Sequence, residues 1–174
     1  VRFVFQPGEE VQAAGRDLVA AGCCEGASAA YALHGFAGLP VGAIGSRAGV
    51  MMATGGAFDA LLTGQGCHGA APQTGNNPLP VAARIMTDLY ELHGTVNAED
   101  GSVVSVCAVQ AGQSSNVIPA SCRIKGTFRC LDAGRGDQLA QRITQALQGR
   151  AAAAGMTVEL EIDRRYSLPT LNSP

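Results

Sequence analysis

A chain of 174 residues with 47% hydrophobic and 15% charged residues can pack a core, and its charge lies below the usual share of about a quarter, which excludes a disordered chain. A net charge of −2, a single lysine (Lys125) and the lack of a basic stripe or aromatic platform leave no electrostatic footprint for nucleic acid. No apolar run approaches the roughly eighteen residues of a membrane span, and the start lacks the basic-then-apolar order of a signal peptide, so neither nucleic acid nor membrane is an expected partner.

Val1, Phe3, Val4 and Phe5 make an apolar run, read as a buried strand, that stops at Pro7-Gly8. With no initiator Met and a strand at the very start, the chain is expected to begin in mid-protein. Two acids, Glu9 and Glu10, follow where a helix over 11–21 is expected (Val11, Ala14, Leu18 and Val19 at helical spacing, Gly22 as the stop). The run 29–33 reads as a second buried strand ending on His34. Strand, helix, strand predicts a parallel βαβ unit, which would set Glu9, Glu10 and His34 on one sheet edge, where open α/β folds carry their chemistry. Adjacent carboxylates point apart, so one can ligate a metal while the other handles a proton. Equally, acids in a first helical turn favour the helix dipole and need no function.

Residues 35–49 read as a Gly-rich loop with a short extended piece over 41–44. A strand is expected over 52–64, then a Gly-rich loop holding His68. Asn76-Asn77-Pro78 signals a helix start, and 79–93 carries Val81, Ile85, Met86, Leu89 and Leu92 on one stripe. Strands follow at 103–109 and 120–131, separated by the polar loop 112–116. A helix over 137–154 and a strand over 157–162 close the series. The order from Val50 to Arg165 is strand, helix, strand, strand, helix, strand, the split βαβ or ferredoxin-like pattern. Six cysteines (Cys23, Cys24, Cys67, Cys107, Cys122, Cys130) show no CxxC pair. The last three lie in strand-like runs and are expected as small buried hydrophobes, and a reducing cytoplasmic location is expected.

Five motifs in order carry a resemblance: Phe5-Gln-Pro-Gly-Glu-Glu10; Ala32-Leu-His34 with Leu39-Pro-Val-Gly42; Gly64-Gln-Gly-Cys-His-Gly-Ala-Ala-Pro72 with Asn77-Pro78; Ser115-Asn-Val-Ile-Pro119; and Gly126-Thr-Phe-Arg129. Together they resemble the metal-dependent amidohydrolases that include hippurate hydrolase, aminoacylase and the plant indole-acetyl-amino-acid hydrolases. The fold this implies is α/β plus α+β, a dinuclear-metallopeptidase-like catalytic domain interrupted by a ferredoxin-like lid that dimerises. Residues 1–49 would then be part of the catalytic domain, 50–165 the lid and 166–174 the start of the return. The resemblance implies Glu9 as general base, Glu10 and His34 as metal ligands, and His68 as the lid histidine that steadies the oxyanion in the partner subunit's site. It implies Asn116 and Arg129 as substrate-holding residues, and two divalent ions (Zn, Mn, Co or Ni) per complete site. The expected substrate is a small N-acyl amino acid or related amide, and the expected partner a second copy.

Plainer readings stand beside these. His34 could be a polar residue at a strand end, His68 an exposed turn residue, Asn116 a turn-closing side chain before Pro119, and Arg129 a solvated strand residue. Gln73 stands where the family often has His, and Asn77 where it often has Asp. The family's other ligands, an upstream Cys and His and a downstream His, are not in this chain. Glu10 and His34 fall short of the three or so protein ligands a zinc-like ion needs. The piece by itself is therefore expected to bind metal poorly and to be inactive. The rival expectation is a non-catalytic ferredoxin-like dimerisation or ligand-binding module, and a third is an aminopeptidase or carboxypeptidase on the same scaffold.

Overall fold

The computed structural model describes residues 1–8, 14–95, 101–164 and 168–173. They fall into two compact units, Val1–Arg47 and Ala48–Pro174.

The first unit contains one short helix, α1 (Gly15–Ala20). Gly22, at φ 83°, follows it, and the Cys23 N–H reaches back to the Leu18 carbonyl at 3.0 Å. The Arg2 guanidinium donates to the carbonyls of Cys23 (2.8 Å) and Glu25 (3.2 Å). The strands expected at 1–5 and 29–33 are not formed, and neither is the parallel βαβ unit built on them. The physical reason is the lack of a ladder. A strand satisfies its backbone through a neighbour, and among the described residues of this unit no segment is paired with either run in a ladder. Phe3, Phe5, Tyr31 and Leu33 are consequently exposed.

The second unit holds β1 (Gly49–Met52), β2 (Thr54–Thr63), β3 (Cys67–His68), α2 (Pro78–Thr95), β4 (Val103–Gln110), β5 (Val117–Ile118), β6 (Ser121–Cys130), α3 (Ala133–Ala153), β7 (Thr157–Asp163) and β8 (Thr170–Asn172). Four strands make an antiparallel sheet in the order β4-β6-β2-β7. The two-residue β3 and β5 pair with each other, as do the outlying β1 and β8.

Alternation decides which face of the sheet is covered. Phe58, Ala60 and Leu62 of β2, with Cys122, Ile124 and Phe128 of β6, point inward and are buried. The stripes Val81-Ile85-Leu89-Leu92 of α2 and Leu139-Ile143-Leu147-Ala151 of α3 cover them in one core. Each fully buried Phe, Leu or Ile contributes about 1.5–3 kcal/mol. Across β2 and β6 an aromatic faces a glycine twice: Phe58 opposite Gly126, and Phe128 opposite Gly56. A Cβ at 126 would overlap the Phe58 ring and the Ser105 carbonyl, and one at 56 would meet the Phe128 ring at 2.7 Å. The helices are clamped to each other outside the core by Arg150, whose Nε and Nη2 donate to the Asp88 carboxylate at 2.6 and 2.8 Å.

The start of α3 and the setting of Cys107 are among the departures from the sequence expectation. Helix α3 begins at Ala133 rather than 137, because Asp132 caps it by accepting from the Arg135 N–H at 2.8 Å. Cys107 is exposed rather than buried: the register slips between Val106 and Ala108, a bulge that takes residue 107 out of the pairing. Cys122 and Cys130 are buried, as expected. Among the described residues no helix is long and apolar enough to cross a membrane.

Candidate functional site

His68 sits at the end of a loop that leaves the sheet after β2 and is bound down on both sides. Gln65 and Asn76 exchange backbone hydrogen bonds at 2.9 and 2.8 Å, and Gly64 N–H donates to Ala120 O at 2.9 Å. Small residues permit this closeness, since a Cβ at Gly75 would meet Cys67 Sγ at 2.6 Å and one at Gly66 would meet Ile118 O at 2.9 Å. The Asn76 side chain also donates to Ala154 O at 2.9 Å, tying the loop to the end of α3.

That framework brings His68 and Asn116 together. His68 pairs with Val117, and the Gly69 N–H donates to the Asn116 carbonyl at 2.8 Å. The Ala70 N–H donates to His68 Nδ1 at 3.1 Å. An N–H can only donate, so Nδ1 carries the lone pair and the neutral ring holds its proton on Nε2. Ser114 Oγ donates to Asn116 Oδ1 at 2.5 Å, which fixes the amide so that its NH2 is the outward group. Both side chains are exposed, and among the described residues nothing accepts from His68 Nε2 or Asn116 Nδ2. The pair therefore presents two N–H donors to solvent from adjacent positions. Ser114 was not singled out from the sequence; a hydroxyl two residues before an Asn is too common a pattern to mark it.

Arg129 lies elsewhere. It pairs with Gly55 at the far end of the sheet, while the His68 loop leaves from the end where Thr63 pairs with Ser121. Positions 121 to 129 span about 27 Å at the rise of an extended strand. The Arg129 side chain lies across the bare backbone of β2, where a Cβ at Gly55 would meet its Cδ at 2.6 Å. Nη1 donates to Gly56 O (3.2 Å), Thr127 Oγ1 (2.8 Å) and Phe128 O (2.9 Å). One nitrogen holds the guanidinium in place, and Nε and Nη2 have no acceptor among the described residues.

In the first unit, His34 is exposed, and its Nδ1 donates to Gly35 O at 2.7 Å. Its free lone pair is therefore on Nε2, the opposite tautomer to that of His68; imidazole ligates metals through either nitrogen. Glu9 and Glu10 lie outside the described residues. Among the described residues no three His, Cys, Asp or Glu side chains converge on a point.

The strongest charge cluster has a structural explanation. Asp59 is gripped by Arg123 (2.7 and 2.8 Å) and by Lys125 (2.8 Å) on the outer face of the sheet. Those hydrogen bonds, Arg123's first, hold its carboxyl down to about 2. Every partner is a neighbouring strand residue, so the cluster is part of the ladder.

Residues 51–154 match the peptidase dimerisation domain of the M20 family. N-acetylcysteine deacetylase of Bacillus subtilis is 33% identical over 162 residues, covering 92% of this chain and 43% of that protein. IAA-amino acid hydrolase ILR1-like 5 of Arabidopsis thaliana is 36% identical over 177 residues, covering 99% of this chain and 41% of that protein. Among solved structures, a dinuclear metal binding peptidase from the M20 family of Bacillus subtilis superimposes with a TM-score of 0.73 at 30% identity, covering 98% of this chain and 42% of that one. The chain thus spans less than half the length of the curated relatives it matches. Through its peptidase dimerisation domain, the chain belongs to the M20 family.

Proposed function

We propose that the whole protein is a metal-dependent amidohydrolase that cleaves an N-acyl amino acid or a related amide, acting as a homodimer. One observation carries this reading. Relatives named for deacetylation and for hydrolysis of amino acid conjugates align along 92% and 99% of this chain, through the 1–47 unit as well as the dimerisation domain. A module kept only for dimerisation would need no likeness in residues 1–47. In this reading 1–49 belongs to a catalytic domain, 50–165 is a ferredoxin-like lid, and 166–174 leads back.

The roles follow from what each group can do. Glu9 takes the proton of the attacking water and returns it to the leaving amine, a task suited to a carboxylate. Glu10 and His34, the latter through Nε2, serve as metal ligands beside others outside these 174 residues. Two divalent ions in such a centre would polarise the amide carbonyl and make water nucleophilic near neutral pH. His68 donates its Nε2 proton toward the oxygen that gains charge as the carbonyl is attacked, with the Asn116 amide beside it. Arg129 offers Nε and Nη2 as a fork for the substrate carboxylate. Arg129 lies at one end of the four-stranded sheet, and the loop that carries His68 leaves from the other end. In this reading a small substrate that meets both draws them from two copies, in keeping with the dimerisation domain.

The test uses the full-length enzyme. Glu9→Gln with metal content unchanged is expected to lower turnover of an N-acyl amino acid by about a hundredfold or more. Near-normal turnover would sink the general-base role. Mixing inactive Glu9→Gln and His68→Ala subunits should restore part of the activity; no rescue despite proven subunit exchange would remove His68 from the partner's site.

A further inference from the structure

The turn that follows α1 carries two adjacent thiols, Cys23 and Cys24, whose sulfurs lie 3.5 Å apart. On an extended strand successive side chains would point to opposite faces. Here the backbone curls so that they converge. Gly22 turns the chain at φ 83°, Glu25 N–H donates to Gly22 O at 3.1 Å, and Ala27 N–H donates to Cys24 O at 3.1 Å. Arg2 holds the same turn through the Cys23 and Glu25 carbonyls, so the pair is preorganised. Cys24 is exposed and Cys23 half-buried, which leaves both sulfurs open to solvent.

Both thiols are free, and adjacency works against joining them directly. Across a trans peptide the two Cα atoms are about 3.8 Å apart, short of the roughly 4.4–6.8 Å usual for a disulfide. A bridging centre fits better. With bonds of about 2.3 Å, as sulfur makes to zinc, the 3.5 Å separation closes an S–centre–S angle of about 100°. A linear two-coordinate ion would need sulfurs roughly 4.6 Å apart at that bond length. A tetrahedral ion needs further ligands, and among the described residues no third His, Cys, Asp or Glu joins the pair. Trivalent arsenic bearing one organic group meets all three conditions. It takes two sulfurs, brings its own third substituent, and is pyramidal with angles slightly wider than a right angle.

We infer that Cys23 and Cys24 form a chelating site for trivalent organoarsenicals. The reaction is a condensation with no change of oxidation state: an arsonous acid, R–As(OH)2, breaks two As–O bonds and forms two As–S bonds. The two thiol protons leave with the two hydroxyls as water. Once one sulfur is bound the other is held at high effective concentration, so the chelate outlasts a bond to any single thiol. Elsewhere Cys122 and Cys130 are buried, and Cys67 and Cys107 belong to different strands, β3 and β4. The inference is independent of the amidohydrolase reading.

The test exposes the reduced full-length protein to an equal concentration of phenylarsine oxide, which hydrates to the arsonous acid, and follows mass before and after proteolysis. Cleavage after Arg16 and Arg47 frees a peptide whose only cysteines are Cys23 and Cys24. That peptide is expected to carry one phenylarsenic group, to keep it in excess mercaptoethanol, and to lose it to the dithiol dimercaptopropanol. Cys23→Ser and Cys24→Ser should each abolish the mercaptoethanol-resistant adduct, whereas Cys67→Ser and Cys107→Ser should leave it in place. An unmodified peptide, an adduct stripped by mercaptoethanol, or a resistant adduct that survives Cys23→Ser or Cys24→Ser overturns the inference. Where a variant does not fold, the peptide from the unsubstituted protein decides.

Discussion

In the second unit the strands of the four-stranded sheet lie against one another, and two helices cover the inner face. In the first unit, Phe3, Phe5, Tyr31, Leu33 and Ile44 each retain 80% or more of their exposure, although their runs are as apolar as β2. Apolarity selects which residues leave water, but a strand also needs an adjacent backbone to take its N–H and C=O groups. Residues 48–174 contain both requirements. The described residues of 1–47 show only the first.

Separating the regions should break the comparison most visibly. Residues 48–174 produced alone are expected to unfold in one cooperative transition, and 1–47 alone to show none, as followed by circular dichroism during heating. Next come side-chain truncations in the full chain. Ile143→Ala or Leu89→Ala, each at a fully buried position, should cost about 2–5 kcal/mol in urea titrations. Leu33→Ala, 91% exposed, should stay within about 0.5 kcal/mol. Glycines sharpen the contrast further. Gly126→Ala should destabilise by about 1–3 kcal/mol, since the Phe58 ring occupies the space. Gly149→Ala, in α3 with nothing within 4 Å of its added Cβ, should stabilise by up to about 1 kcal/mol.

The smallest effect concerns acid. Asp59 titrates lower in the folded chain, at about 2, than its ordinary 3.8. Its contribution to stability is therefore full above pH 4 and fades as pH falls through 2. Asp59→Asn should flatten that part of the stability profile, and added salt should shrink the difference.

Much of the second unit could be read from periodicity. The expected 79–93 helix is Pro78–Thr95, and the expected 120–131 strand is Ser121–Cys130. The start of α3 was misjudged because Gly134 and Gly136 look like a turn, while the cap at Asp132 outweighs them. The β3–β5 pair was missed since two-residue strands have no period to detect. His68, Asn116 and Arg129 stand out in the sequence as candidates. Their arrangement does not, because register and sheet order decide which meet. Nor could the sequence reveal which nitrogen of His34 or His68 is free; single backbone contacts fix that.

One further consequence comes from β2. It is paired on both sides from Ala57 to Thr63, with β6 and with β7. Inserting one residue would send every later side chain to the opposite face, placing Leu62 outside and its polar neighbours within. Only a two-residue change keeps the alternation, and it moves the ends apart by roughly 7 Å. The sheet thus acts as a ruler graduated in coarse steps, too coarse to adjust to a slightly longer or shorter substrate. Divergence among related proteins should therefore accumulate in the 64–76 and 110–116 loops, which can lengthen a residue at a time without disturbing the ladder.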